Sequence, residues 1–161
     1  MDHPRWLTPE QLHSWIRFVS VLELLPGVLD SQLQRGAELT HFEYVTLARL
    51  SEAPERTLRM TALSAATNAS LARLSHVIAR LEERGFVART PCREDRRATN
   101  VSLTEVGWRK VVESAPGHVA TVRDSVIDVL DATDVADLDR IMGRILSRLD
   151  PTNRLRGWGA E

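Results

Sequence analysis

Two short helical segments, residues 61–66 and 70–84, are separated only by Thr67-Asn68-Ala69. A pair of helices joined by a three-residue polar turn is the helix-turn-helix signature, and it restricts the surrounding architecture more than any other stretch of the chain. The second segment can be tested face by face at about 100° per residue. Arg73, His76, Arg80 and Arg84 fall on one side of it, whereas Leu71, Leu74, Ile78 and Leu81 fall on another. The leucine side is expected to pack on a core, leaving Ser70, Arg73, His76 and Arg80 outward, with Thr67 and Asn68 at the amino-terminal end. Gly85 follows in the usual position for ending a helix.

The remaining pattern is mostly helical. Leu12, Trp15, Ile16, Val19 and Leu22 recur at helical spacing after Thr8-Pro9, a plausible cap followed by proline at the first helical position. Pro26-Gly27 is expected to kink or end this helix. A second helix is expected from about Thr40 to a turn over 51–56. After Gly85, residues 86–90 and 99–103 read as two short strands of a hairpin whose tip is Pro91-Cys-Arg-Glu-Asp-Arg-Arg97. A long helical segment then starts at Thr104, with Pro116-Gly117 expected to interrupt it. Asp134 is expected to cap a last helix in which Val135, Leu138, Ile141, Met142, Ile145 and Leu149 form an apolar stripe.

Charge is unevenly spread. Residues 55–110 hold eleven Lys/Arg against six acids, a local balance of +5 in a chain whose total is −1. Basic character confined to one segment points to one anionic partner docking at one place. Arginine forks suit guanine edges, amides suit adenine, and hydroxyls with helix amino-terminal amides suit phosphates. Double-stranded DNA is therefore the partner this chemistry fits. Catalysis is not indicated: the five histidines are scattered, no glycine-rich phosphate loop or metal-ligand cluster occurs, and no cofactor is expected. Neither a targeting segment nor an uncharged apolar run near the roughly 18 residues of a membrane span is evident, so a cytoplasmic chain without membrane contact is expected.

Three phrases in order, Leu74-Ser-His-Val-Ile-Ala-Arg-Leu-Glu-Glu-Arg-Gly-Phe-Val87, Asp95-Arg-Arg97 and Val101-Ser-Leu-Thr-Glu-Val-Gly107, resemble the winged helix-turn-helix regulators of the MarR family. The resemblance implies a mostly α fold with a small β-hairpin wing and N- and C-terminal dimerisation helices. These would be 8–36 and 118–150, flanking a DNA-binding lobe over 40–116 with its recognition helix at about 70–84 and its wing at about 87–103. It implies a homodimer, probing the major groove with the recognition helix and the minor groove with the wing, on a pseudo-palindromic site, most simply as a repressor. The expected DNA contacts are Thr67, Asn68, Ser70, Arg73, Ser75, His76 and Arg80 of the helix region and Arg93, Asp95, Arg96 and Arg97 of the wing. Asp95 can pair with Arg97 and hold it as a minor-groove probe, with Arg93 and Arg96 meeting the backbone.

Relatives in this family commonly bind small aromatic or anionic effectors between the dimerisation helices and the DNA-binding lobe. Trp15, Phe18, His41 and Tyr44 could line such a cleft, with Arg17 or His13 meeting a carboxylate. Cys92, the single cysteine, reads as an inert wing residue despite its arginine neighbours. The rival to a DNA-binding regulator is a protein-interaction module on the same scaffold.

Overall fold

The computed structural model describes residues 4–92, 95 and 98–155. Helix α1 (Pro9–Ala37) opens on a capping box: the Gln11 N–H donates to Thr8 Oγ1 at 3.3 Å while the Gln11 side chain accepts from the Thr8 N–H at 3.0 Å. It continues through Pro26 as one helix, so Pro26-Gly27, expected to kink or end it, does not end it. Proline already has a helical φ, and its cost is one hydrogen bond and local crowding. Burial of Leu29, Leu33 and Ala37 beyond it holds the helix together.

Helix α2 (His41–Glu52) repeats the same device, with Thr40 and Glu43 as the reciprocal pair. A 3₁₀ turn, Pro54–Arg56, leads into β1 (Thr57–Arg59), a strand the sequence pattern does not announce. Helices α3 (Met60–Ala66) and α4 (Leu71–Glu83) follow, then the hairpin β2 (Val87–Pro91) and β3 (Thr99–Leu103). The sheet order is β1-β3-β2, antiparallel throughout, with Val101 opposite both Leu58 and Arg89. The hairpin is thus part of a three-stranded sheet. Three residues make a strand at β1 only because β3 supplies its ladder, reinforced by Thr57 Oγ1 donating to Ser102 Oγ at 2.8 Å.

Leu47, Leu50, Leu63, Leu74, Ile78 and Val101 are completely buried and join α2, α3, α4 and the sheet into one core. Each such side chain stabilises the fold by about 1.5–3 kcal/mol relative to exposure. Leu33 of α1 and Val111 of α5 (Glu105–Val122) tie the lobe to the long helices. Helix α5 also passes through its proline, Pro116, where an interruption was expected, and loosens only later, into a π turn at Arg123–Ile127. Asp131, not Asp134, caps α6 (Ala132–Leu149); Asp134 is its capping-box partner three residues on, so the acid chosen from sequence is one turn too late.

The two outer helices are poorly covered. No residue of α6 is buried, and Trp15, Ile16 and Leu24 of α1 are each more than half exposed. One 18-residue window of α1 is long and apolar enough to cross a bilayer, a length the count of uncharged residues did not suggest, and none of it is buried within the chain.

Candidate nucleic-acid interface

The turn before α4 is built from side chains that satisfy the backbone locally. Thr67 Oγ1 donates to the Leu63 carbonyl at 2.8 Å, and Ser64 Oγ donates to the Ala69 carbonyl at 2.6 Å. Asn68 takes a left-handed conformation (φ 49°), which Asn tolerates better than most residues. Ser70 is the cap of α4: its Oγ accepts from the Arg73 N–H at 3.2 Å. Asn68 is therefore exposed with its amide outward, whereas the Thr67 hydroxyl is engaged in closing α3.

Along α4 the buried residues are Leu74, Ile78 and Leu81 alone. Leu71, assigned to the core face by its spacing, is 49% exposed. It stands at the start of α4, before Leu74, the first buried residue of the helix. Leu71 and Ala72 thus belong to the outward face with Arg73, Ser75 and His76, and the apolar pair is suited to a thymine methyl. Sequence periodicity alone hides them, because it groups residues by angle and ignores position along the axis.

Two of the expected arginines are held by α2. The Arg73 guanidinium lies over the Phe42 ring, 4.2 Å from its centroid, an arrangement that orders the side chain while leaving its donors outward. Arg80 Nη2 donates to Glu43 Oε1 at 2.5 Å. Glu43 is only 4% exposed at its side chain, against 58% for Arg80. Burial pushes the Glu43 carboxyl up, but the Thr40 N–H, the Arg80 guanidinium and the Thr40 hydroxyl outweigh it and hold the group below its ordinary range. Arg80 is thus half contact candidate and half brace. Glu43, given no role by the sequence pattern, anchors α4 to α2 through Arg80.

At the far end of α4, Gly85 (φ 74°) reverses the chain, and its N–H donates to the Glu82 carbonyl at 2.9 Å. The Phe86 carbonyl then accepts from the Thr104 N–H at 3.0 Å and from Thr104 Oγ1 at 3.1 Å. Thr104 Oγ1 also caps α5 by accepting from the Gly107 N–H at 3.0 Å. A Cβ on Gly107 would stand 2.1 Å from the Phe86 oxygen, so only glycine fits. Two of the three sequence phrases therefore meet at one oxygen atom. Glu82 braces the wing base as well, accepting from the Arg89 N–H at 2.9 Å and from Arg89 Nε at 2.8 Å.

Between α4 and the wing base lies an open cleft of about 390 Å³, lined by Met60, Ser75, Arg89, Thr90, Ala98 and Thr99 among others. At the wing itself, the Cys92 N–H donates to the Ala98 carbonyl and the Ala98 N–H to the Asp95 carbonyl, both at 2.9 Å. Cys92 is buried, which suits an inert thiol. Asp95 is exposed; Arg93, Arg96 and Arg97 lie outside the described residues, as does the expected Asp95–Arg97 pair.

The expected effector residues do not share one place. Trp15 and Phe18 pack against each other (6.1 Å between centroids) in a groove of about 1110 Å³ walled by Leu7, Ile141, Met142 and Ile145. His41 and Tyr44 instead gather around His118 of α5, at 5.9 and 4.6 Å. Arg17 and His13 are exposed on α1 and line neither. His118, missed by sequence reasoning, is buried with Nδ1 lacking a hydrogen-bond partner. Burial holds both imidazoles below their ordinary range; nearby Asp30 opposes this at His41, and His41 adds to it at His118. Among the described residues no cluster able to hold a metal occurs.

Comparison with known proteins gives a consistent picture. The sequence model described as MarR family matches residues 39–99. Sco3205, a MarR family transcriptional regulator from Streptomyces coelicolor solved in complex with DNA, is 40% identical over 95% of this chain and 96% of its own, with a TM-score of 0.88. AbsC, a MarR family transcriptional regulator from the same organism, is 38% identical over 92% of this chain and all of its own, with a TM-score of 0.86. YdcH of Bacillus subtilis, an uncharacterised HTH-type transcriptional regulator, is 31% identical over 81 residues. That alignment spans 55% of YdcH, about half its length.

Proposed function

The chain belongs to the MarR family of transcriptional regulators, and from that premise we propose that it is a repressor binding a pseudo-palindromic DNA site as a homodimer. The observation that carries the reading is the outward face of α4. Asn68 in the preceding turn and Leu71, Ala72, Arg73, Ser75 and His76 on the helix are exposed together, the helix being seated by Leu74, Ile78 and Leu81, with Arg73 ordered over Phe42 before any ligand arrives. Preordering removes part of the entropy that binding otherwise costs. In this reading α4 enters the major groove and the wing arginines Arg93, Arg96 and Arg97 approach the minor groove and flanking phosphates. The uncovered faces of α1 and α6 supply the dimer contact, and a two-fold dimer sets its half-sites about one DNA turn apart.

Selection of bound duplexes from a random pool tests the proposal. Arg73→Ala is expected to cost about 1–3 kcal/mol on the selected site and to relax preference at one position per half-site. Unchanged preference would remove Arg73 from the readout. Failure of the wild-type chain to enrich any duplex would favour the protein-interaction alternative.

A small aromatic or anionic effector is part of the proposal, placed where His41, Tyr44 and His118 meet rather than at Trp15 and Phe18. The orphaned His118 Nδ1 supports this choice, since a buried polar atom without a partner is suited to a ligand that supplies one. The cluster lies where α2 of the lobe meets α5, so occupancy there would bear on the seating of the lobe against the long helices.

A further inference from the structure

We propose that residues 150–155, beyond α6, belong to the DNA-binding surface, and that Arg154 contacts a backbone phosphate beside the recognition helix; this rests on the DNA-binding reading above. The segment is fastened to the lobe rather than trailing from it. The Asp150 carboxylate, 2% exposed as a residue, accepts from the Leu155 N–H at 2.8 Å and from Thr152 Oγ1 and Arg154 Nε at 3.4 Å each. The Leu155 carbonyl in turn accepts from Nη2 of buried Arg49 in α2 at 3.0 Å. Two buried charged groups thus fold the end of α6 back onto the same helix that carries Phe42 and Glu43.

The result is a concavity of about 380 Å³ with Arg154 on one side and Thr61, Ser64, Asn68 and Ser70 on the other. Its lining is one guanidinium, three hydroxyl side chains, one exposed amide and two alanines, with no acid. Asp150 engages Arg154 through Nε alone, and the Arg154 side chain remains 49% exposed. A half-exposed cation beside the Thr61 and Ser70 hydroxyls suits a phosphate oxygen and carries no base-reading geometry; the Ser64 hydroxyl proton is already engaged by the Ala69 carbonyl. Position agrees with chemistry: when the head of a recognition helix enters the major groove, the helix before it crosses the backbone, and Arg154 lies against that helix and the turn. The contact is therefore independent of sequence.

The test titrates the full chain against the selected duplex and against a random-sequence duplex of equal length, from 50 to 200 mM salt. Each phosphate contact contributes about −0.9 to the slope of log affinity against log salt, so two per dimer contribute about −1.8. Arg154→Gln should flatten the slope by that amount on both duplexes; over this fourfold salt range the wild type then loses about tenfold more affinity than the variant. Arg154→Lys should restore most of the slope, because a point charge suffices for a phosphate. Melting curves of both variants should match the wild type, and Asp150→Asn, which loosens the anchor, should lower affinity on both duplexes alike. An unchanged slope in Arg154→Gln, or a loss confined to the selected duplex, overturns the assignment while leaving the function proposed above intact. Absence of any salt-dependent duplex binding by the wild type overturns both.

Discussion

Gly107→Ala offers the sharpest test of how the lobe is joined to the long helices. The added Cβ meets the Phe86 carbonyl oxygen at 2.1 Å, the Phe86 carbonyl carbon at 2.9 Å and Leu103 Cδ1 at 2.8 Å. Two of these neighbours are backbone and cannot rotate away, so α5 must move off β2 by an ångström or more. Overpacking of this kind costs about 1–3 kcal/mol. The movement also stretches the bonds from Thr104 N and Thr104 Oγ1 to the Phe86 oxygen, worth about 0.5–1.5 kcal/mol each. Against this, alanine gains about 1 kcal/mol over glycine inside a helix. The net expectation is a loss of about 2–4 kcal/mol. For a chain of this size that lowers Tm by roughly 5–15 °C. Thermal unfolding followed by circular dichroism at one fixed protein concentration measures it, with Gly27→Ala as the companion: nothing lies within 4 Å of a Cβ there, so stability should rise by about 0.5–1 kcal/mol. A Gly107→Ala protein within about 0.5 kcal/mol of wild type, well below the overpacking cost, would refute the steric reasoning.

Acid should act in two stages. The half-buried His41 and the buried His118 have lowered pKa values, so their contribution is complete above the unfolded value of about 6.5 and is lost as pH falls through the folded values. Glu43, also lowered, contributes above about pH 4.3 and loses that contribution below it. Glu43→Gln should remove the lower stage only and cost about 1–2 kcal/mol at neutral pH, read from urea midpoints between pH 8 and 3; an unaltered acid limb would deny Glu43 its seating role. The wild-type chain should sediment as a dimer at micromolar concentration, and Leu24→Asp, at a position 71% exposed on α1, should shift it toward monomer without loss of helical signal. A monodisperse wild-type monomer would leave the bare faces of α1 and α6 unexplained.

Residues whose role is local were legible in the sequence. Thr8, Thr40, Thr104 and Gly85 each satisfy or reverse the backbone within a few residues, and their spacing marks helix ends. The candidate face of α4 was legible for the same reason, being one helix read against its own period. What escaped depends on distant partners. β1 exists through β3, the burial of Glu43 is decided by an arginine 37 residues away, and Arg154 reaches the turn only because Arg49 binds a carbonyl 106 residues along the chain. The two prolines misled in the opposite direction: taken alone each argues for a break, but the packing of α1 against α5 sustains both helices. The scatter of Trp15 and Phe18 away from His41 and Tyr44 has the same origin, since one long helix separates residues that composition alone would group.

The Phe86 oxygen makes α4 and α5 parts of one lever. Its fulcrum lies at the carboxyl end of α4, and the exposed residues Asn68, Leu71, Ala72, Arg73, Ser75 and His76 lie toward the opposite tip. Thirteen residues at about 1.5 Å each give an arm of roughly 20 Å. A tilt of about 10° passed from α5 through that point displaces the tip by about 3.5 Å, close to the rise of a single base pair. On the proposed homodimer, a tilt of that size is enough to put the two helix faces out of phase with their half-sites.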